Sequence, residues 1–487
     1  MLNVPLDYSQ PNRSRAAIPL IKISAKANSP NGTYQGMLLL NPGGPGDSGV
    51  DLILTIGNSY LGPVIGTNFD IVSFDPRGIG RSRPLANCSQ IAEANDKITK
   101  RAFGLVGPEE PDAFWEETFA EARTFGTQCA SAIGGPDGAG EHMSTPVVAT
   151  DMVSIIDAFA ATPRGMKAAG NSSLLNYWGF SYGSFLGRRV VDPDDYSSGR
   201  IHQNVIYTDA AVALFFTYCH LAGPKLCPFY TGTTVSDIEA RFEDLFATLN
   251  ATHAVAQKFK NATVIIESLQ IIKGTIRNNA VAPISSFPAM AQQLIAYESV
   301  LKNLTVDGIN AASEIGATSP VVPGTIVEPP EWLPAVFCTD SPSIFNKTYR
   351  DLKASINTLE RESFVGGEAW ASFWAYCTSW PIRAKWRFAG PFGAHTKNPI
   401  LYISNTIDPL TPIDNSLKWS PRFPGSQVLT IEGVGHTSRG PINACANSKI
   451  GHFFQTGELP GAGTICKAEA GAFGVIANVS SASIFAR

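Results

Sequence analysis

Apolar residues recur along this chain with two different periods, and the changes between them predict its elements. Strand-like runs occupy residues 18–25 and 37–40, joined by a Ser-Pro-Asn-Gly turn at 29–32, and a third run covers 69–74. Helical spacing follows over 113–132 and again over 147–161, the second behind a Ser-Thr-Pro start signal. A short apolar strand, 174–178, ends in Gly179-Phe180-Ser181-Tyr182-Gly183 ahead of helix-compatible residues, and another β-rich run spans 204–208, closing at Asp209. Strand, helix, strand, helix is the alternation of an α/β fold: a mostly parallel sheet flanked by helices.

From about Leu214 the pattern turns helical, notably over 235–257, 288–301 and 349–359, with Pro- and Gly-rich loops such as 320–334 between. A helical insertion after the sixth strand is expected to sit over the carboxyl edge of the sheet as a lid that excludes water. The α/β pattern resumes with a strand at 399–404 leading to Asp408, another at 427–431 leading to His436, and a closing helix over 442–454. The expected organisation is therefore 1–213, first part of the α/β core; 214–380, helical lid; and 381–487, second part of the core.

The Gly-x-Ser-x-Gly turn between strand and helix reads as a nucleophile elbow, with Ser181 exposed above the sheet. A hydroxyl needs an adjacent base, and the base an orienting carboxylate. Asp408 and His436 each follow an apolar strand, in the order Ser, Asp, His, so all three are expected at one edge of the sheet. The loop Asn41-Pro42-Gly43-Gly44-Pro45-Gly46 also follows a strand. Its Gly44-x-Gly46-x-x-Gly49 spacing resembles a dinucleotide fingerprint, but Pro42 and Pro45 remove N–H donors, and an oxyanion loop is the better reading, with the amides of Gly44 and Tyr182 as donors. The loop 75–82 reads as a structural turn with an Arg77 to Asp75 pair. The other histidines, His142, His202, His220, His253, His395 and His452, are read as structural, and no His-x-x-x-His or His-Glu-x-x-His spacing supports a metal. No cofactor is expected.

Composition narrows the class. The chain has 487 residues, 44% of them apolar, enough for a substantial core. A net charge of −4 and no Lys/Arg cluster argue against nucleic acid and against a membrane surface, and no apolar run reaches a bilayer-spanning length. Eight cysteines, Cys88, Cys129, Cys219, Cys227, Cys338, Cys377, Cys445 and Cys466, include no Cys-x-x-Cys pair and read as disulfide partners. Asn12, Asn31, Asn87, Asn171, Asn250, Asn261, Asn303, Asn346 and Asn478 each begin a glycosylation sequon. Together these predict a secreted glycoprotein; since no leader follows Met1, the alternatives are a leader removed before it, the favoured reading, and an intracellular protein.

These motifs together resemble one family, the tripeptidyl aminopeptidase and proline iminopeptidase-like serine peptidases of the α/β-hydrolase fold. Val4-Pro5-Leu6-Asp7-Tyr8 is similar to its opening segment, 41–46 to its oxyanion loop, and Asp75-Pro76-Arg77-Gly78-Ile79-Gly80-Arg81-Ser82, the elbow, Asp408-Pro409-Leu410-Thr411-Pro412 and Gly435-His436 to its site pattern. Gly457-Glu458-Leu459-Pro460 and Gly463-Thr464-Ile465-Cys466 resemble its carboxyl-terminal extension. The resemblance implies an exported enzyme whose lid pairs a peptide's free amino terminus with buried carboxylates, and sequential disulfides, 88 with 129, 219 with 227, 338 with 377 and 445 with 466. It is weakest over 214–370, where Glu239, Glu243, Glu298, Glu328, Glu331 and Asp340 read as solvated charges. After Asp209 the chain departs from the family, with Ala210-Ala211-Val212 where members often carry Gly and a second acidic residue.

The function expected is an aminopeptidase acting on short peptides through Ser181, Asp408 and His436. An esterase or lactonase for small acyl substrates uses the same triad, and fold alone does not fix substrate. A non-enzymatic binding protein would need none of the three residues. A lid carboxylate facing Ser181 would separate peptidase from esterase.

Overall fold

The computed structural model describes residues 1–88, 112–187, 196, 198–199, 201–256, 262–316, 322–326, 329, 331–341, 344–388 and 390–477. Nine strands, β1 Leu2–Pro5, β2 Arg15–Ile18, β3 Leu20–Ile23, β4 Gly36–Asn41, β5 Phe69–Phe74, β6 Tyr177–Gly179, β7 Leu401–Ile407, β8 Gln427–Val434 and β9 Ile465–Cys466, form three sheets among the described residues. β1 and β2 make an antiparallel ribbon. The second sheet runs β3-β5-β4-β6, with β3 antiparallel and Leu38 opposite Ile71 and Leu40 opposite Trp178 in the parallel pairs. The third, β7-β8-β9, is parallel, with Ile403 opposite Leu429. Every residue of β4 and β5 is buried, as expected of strands covered on both faces.

The helices α1 Gly49–Ile56, α2 Asp112–Ile133, α3 Thr145–Ala160 and α4 Tyr182–Gly187 belong to the first part of the chain. Then come α5 Thr208–Leu226, α6 Val235–Ala256, α7 Ala262–Val281, α8 Pro283–Val300, α9 Val306–Ser313, α10 Trp332–Asp340, α11 Tyr349–Glu362 and α12 Gly367–Thr378. α13 Ile413–Trp419 and α14 Ala444–Thr456 close the set. Local chemistry starts several of them: Ser48 caps α1, accepting from the Asp51 amide, and Thr348 and Asp351 form a reciprocal capping box on α11. α14 stops where Gly457 takes φ 74°. Four disulfides, Cys88–Cys129, Cys219–Cys227, Cys338–Cys377 and Cys445–Cys466, tie neighbouring elements.

One buried cluster spans two sheets: Leu38, Leu40, Ile71 and Trp178 pack with Leu429, Ile431, Ala446 and Ile450. The strands themselves do not join, because β6 pairs with β4 and β7 with β8, and no pairing links β6 to β7 among the described residues. A cavity of about 750 Å³ lies there, bordered by Leu174–Phe180 on one side and Pro399–Ser404 on the other.

Three expectations change. Residues 18–25 are two strands' worth of chain, β2 ending at Ile18 and β3 beginning at Leu20, because Pro19 has no N–H to continue a ladder. The run 204–208 is not a strand. His202–Asn204 is a 3-10 turn and Thr208 opens α5. Four β-branched or aromatic residues lead there into Ala-rich sequence of high helix propensity, and Asp209 fixes the turn by accepting from Ser363 Oγ and the amides of Phe364 and Val365. α5 also exceeds the expected apolar length: residues 202–226 suffice by length and hydropathy to cross a membrane, yet 56% of the apolar window is buried inside the protein.

Candidate active site

The elbow is built by close packing. Ser181 has φ 52°, a left-handed backbone that a non-glycine residue adopts only under constraint. A Cβ on Gly179 would lie 2.3 Å from the Gly183 carbonyl oxygen, and one on Gly183 would lie 2.5 Å from the Asn41 carbonyl oxygen. Both positions exclude side chains. Gly43 presses from the other side, where a Cβ would lie 2.6 Å from the Phe180 carbonyl oxygen and 2.8 Å from Ser181 Cβ. The glycine loop therefore abuts the serine.

That loop supplies donors. The Gly43 amide donates to Asn41 Oδ1 at 3.0 Å, which leaves Gly44 facing the same small cavity as Ser181 and Tyr182. Tyr182 opens α4, and the first amides of a helix have no partner within it. The two residues whose amides are expected to form an oxyanion hole thus border one space with Ser181. The cavity, about 60 Å³, is walled by Tyr196, Phe337, Trp370 and Phe373, with no carboxylate among its described lining residues.

The second half of the site is a hydrogen-bond net. Asp408, at the end of β7, accepts from His436 Nδ1 at 2.8 Å, from the amides of Leu410, Thr411 and Thr437 at 3.0, 2.8 and 2.9 Å, and from Thr411 Oγ1 at 3.0 Å. Burial opposes its ionisation, but His436 and the amide donors outweigh that and hold its carboxyl below the usual range. The His436 loop is clamped as well: its amide donates to the Val281 carbonyl at 2.7 Å at the end of α7, and Asn405 Nδ2 donates to the carbonyls of Gly435 and Thr437, both at 2.7 Å. Gly435 has φ 124° and leaves only 3.0 Å for a Cβ against Pro283.

The two halves meet across space. Ser181, Asp408, Thr411 and Thr437 all border the cavity of about 750 Å³ between β6 and β7. Among the described residues no hydrogen bond joins Ser181 to His436.

Comparison with known proteins follows the same division. A family model described as TAP-like protein matches residues 363–466, the stretch that carries Asp408 and His436. The tripeptidyl aminopeptidase of Streptomyces lividans is 24% identical over 96% of this chain and 82% of its own length. Serine protease Hip1 of Mycobacterium tuberculosis is 34% identical over 39% of this chain and 32% of its own, and carboxylesterase B of the same organism 24% identical over 94% and 84%. Over nearly its whole length the chain is similar to tripeptidyl aminopeptidases. The matches support an α/β-hydrolase fold and a serine hydrolase of aminopeptidase-like type.

Other expected residues fall differently. Arg77 does not pair with Asp75. Its guanidinium makes a bidentate bond to Asp151 at 2.7 and 2.5 Å, both side chains buried, and donates to the Leu6 carbonyl at 2.6 Å. Asp75 instead holds the start of α1 through Ser48 Oγ and the Val50 amide, at 2.6 and 3.0 Å. Of the acidic residues read as solvated, Glu298 pairs with Arg241 at 2.6 Å, but Glu331 and Asp340 are buried, Glu331 accepting from the Cys88 amide at 3.0 Å; Glu328 lies outside the described residues. Asn12, Asn31, Asn87, Asn171 and Asn346 are exposed. Asn250 lies in α6 and Asn303 in the turn Leu301–Asn303, whereas Asn261 and Asn478 lie outside the described residues. The sequence reading missed Asn41, Asn405 and Thr411, whose roles arise from contacts between separate segments.

Proposed function

We propose that this chain is a secreted aminopeptidase that releases residues or short peptides from the amino terminus of peptides through an acyl-enzyme on Ser181. The observation that carries the reading is a strained serine that borders two cavities, one shared with Gly44 and Tyr182 and the other with Asp408, whose carboxylate holds His436. In the reaction Ser181 Oγ attacks the carbonyl carbon while His436 Nε2 takes its proton. The oxyanion meets the amides of Gly44 and Tyr182, each worth about 10²–10³ in rate. His436 then returns the proton to the leaving amine, and a water repeats the sequence on the acyl-enzyme. Asp408 holds the imidazole tautomer through Nδ1. Catalytic hydrogen bonds tighten as substrate binds, which brings His436 to Ser181 across the cavity.

Residues 214–380 act as the lid between core parts 1–213 and 381–487. Four disulfides support an oxidising compartment and so export, with the exposed sequons as glycan sites. One observation favours a second reading, an esterase of small acyl compounds: the cavity at Ser181 is aromatic and offers no carboxylate for an ammonium among its described lining.

The test compares the protein with Ser181→Ala on aminoacyl and tripeptidyl anilides with free amines, their amino-blocked counterparts, and simple acyl esters. Cleavage of the free-amine anilides alone, lost in Ser181→Ala, is the expected result. Turnover of esters alone establishes the second reading, and activity surviving in the variant removes Ser181 from the mechanism.

A further inference from the structure

A third cavity, of about 370 Å³, is lined in part by Phe185 and Leu186 of α4 and not by Ser181. Its walls are apolar and largely aromatic: Phe185, Trp386, Phe388, Phe392, Phe423 and Val153. One acid faces it. Asp340, at the end of α10, is 8% exposed. Its Oδ1 accepts from the Thr145 amide at 2.9 Å, and its Oδ2 accepts from Thr145 Oγ1 at 2.5 Å and from the Tyr196 hydroxyl at 3.0 Å. All three donors are neutral. Among the described residues no Lys or Arg lies within ion-pair distance of the carboxylate. Arg387 comes nearest in sequence and space, but its Nε donates to the Asp340 backbone carbonyl at 3.2 Å and its side chain is exposed.

A buried carboxylate without a cation is a costly arrangement. Burial raises the Asp340 carboxyl to about 6, against the bonds from Thr145 and Tyr196 and the field of Arg387, so at neutral pH the group still carries its charge. An aromatic wall beside it offers ring faces to a cation, and the volume lies within the range of small-molecule sites.

We propose that this cavity is a second ligand site, taking a primary ammonium carried on an apolar body, with the ammonium on Asp340 and the body among Phe185, Trp386 and Phe392. It is separate from the reacting serine. Ser181 does not line it, and the rings of Tyr182 and Tyr196 stand between, the Tyr182 hydroxyl donating to Thr145 Oγ1 at 2.5 Å. Tyr196 borders both this cavity and the one at Ser181. The assignment is independent of the reaction carried out at Ser181.

The test is titration calorimetry of the full chain with 2-phenylethylammonium, with the neutral 2-phenylethanol and the anionic 3-phenylpropanoate as probes, in the unchanged protein and in Ser181→Ala. The ammonium is expected to bind with one-to-one stoichiometry and equal affinity in both proteins, at least tenfold tighter than the alcohol, with no binding of the carboxylate. Asp340→Asn is expected to lose at least tenfold in ammonium affinity. Ala149→Phe, which keeps Asp340 and fills the cavity from α3, is expected to abolish binding. Equal binding of amine and alcohol, tighter binding of the carboxylate, loss of binding in Ser181→Ala, or unchanged binding in Ala149→Phe would each overturn the proposal.

Discussion

The two halves of the candidate site are held by different physics. On the β4–β6 side the serine is positioned by exclusion: Gly43, Gly179 and Gly183 sit where any Cβ would collide, and φ 52° at Ser181 is the strain those contacts enforce. On the β7–β8 side the acid and base are positioned by attraction, with Asp408 accepting from three amides, a hydroxyl and an imidazole. Steric positioning has a short range and fails abruptly when an atom is added. A hydrogen-bond net fails gradually, one partner at a time. The cavity between β6 and β7 lies between the two, while one buried cluster packs the strands of both halves together.

The largest effect is expected where a single atom reverses a role in the net. In Asp408→Asn one acceptor oxygen becomes a donor group, the His436 tautomer is no longer fixed, and kcat on whichever substrate the enzyme cleaves should fall about 10⁴-fold. Steady-state kinetics with purified variant decides this; a fall of less than tenfold would detach Asp408 from the base. The steric half should respond next. Gly43→Ala places a methyl 2.6 Å from the Phe180 carbonyl oxygen, and a displacement of the serine by the order of 1 Å costs about 10²-fold. Labelling of Ser181 by a fluorophosphonate should slow in parallel. Unchanged labelling would show that the glycine loop does not position the serine.

The contrast also explains what could be read from sequence. The steric half was legible, since a turn that forbids side chains writes itself as glycines at fixed spacing around Ser181. So was the order of Ser181, Asp408 and His436, because each follows an apolar strand. The net was only partly legible: Asn405 and Thr411 are ordinary residues until distant segments bring His436 to them. The strand expected over 204–208 failed for a related reason. Its β-branched pattern is local, whereas the bonds of Asp209 to the segment around Phe364 and the helix that follows are not. The buried partner of Arg77 is likewise a long-range contact, Asp151 on α3, that adjacency to Asp75 concealed.

The smallest effect is expected at the edge of the net. Among the described residues Asn405 makes no hydrogen bond to Asp408 or the imidazole; its Nδ2 bridges the carbonyls on either side of His436. Asn405→Ala leaves two carbonyl acceptors without that donor, a loss of about 1–3 kcal/mol in stability, read as a lowered Tm. The His436 loop keeps its other ties, the amide to Val281 and the Thr437 amide to Asp408, so the ring should stay near its place and kcat should fall only about tenfold, with KM unchanged, because substrate never meets residue 405. A loss as large as that of Asp408→Asn would mean that the clamp, not the carboxylate, sets the imidazole, and that the second half of the site is as brittle as the first.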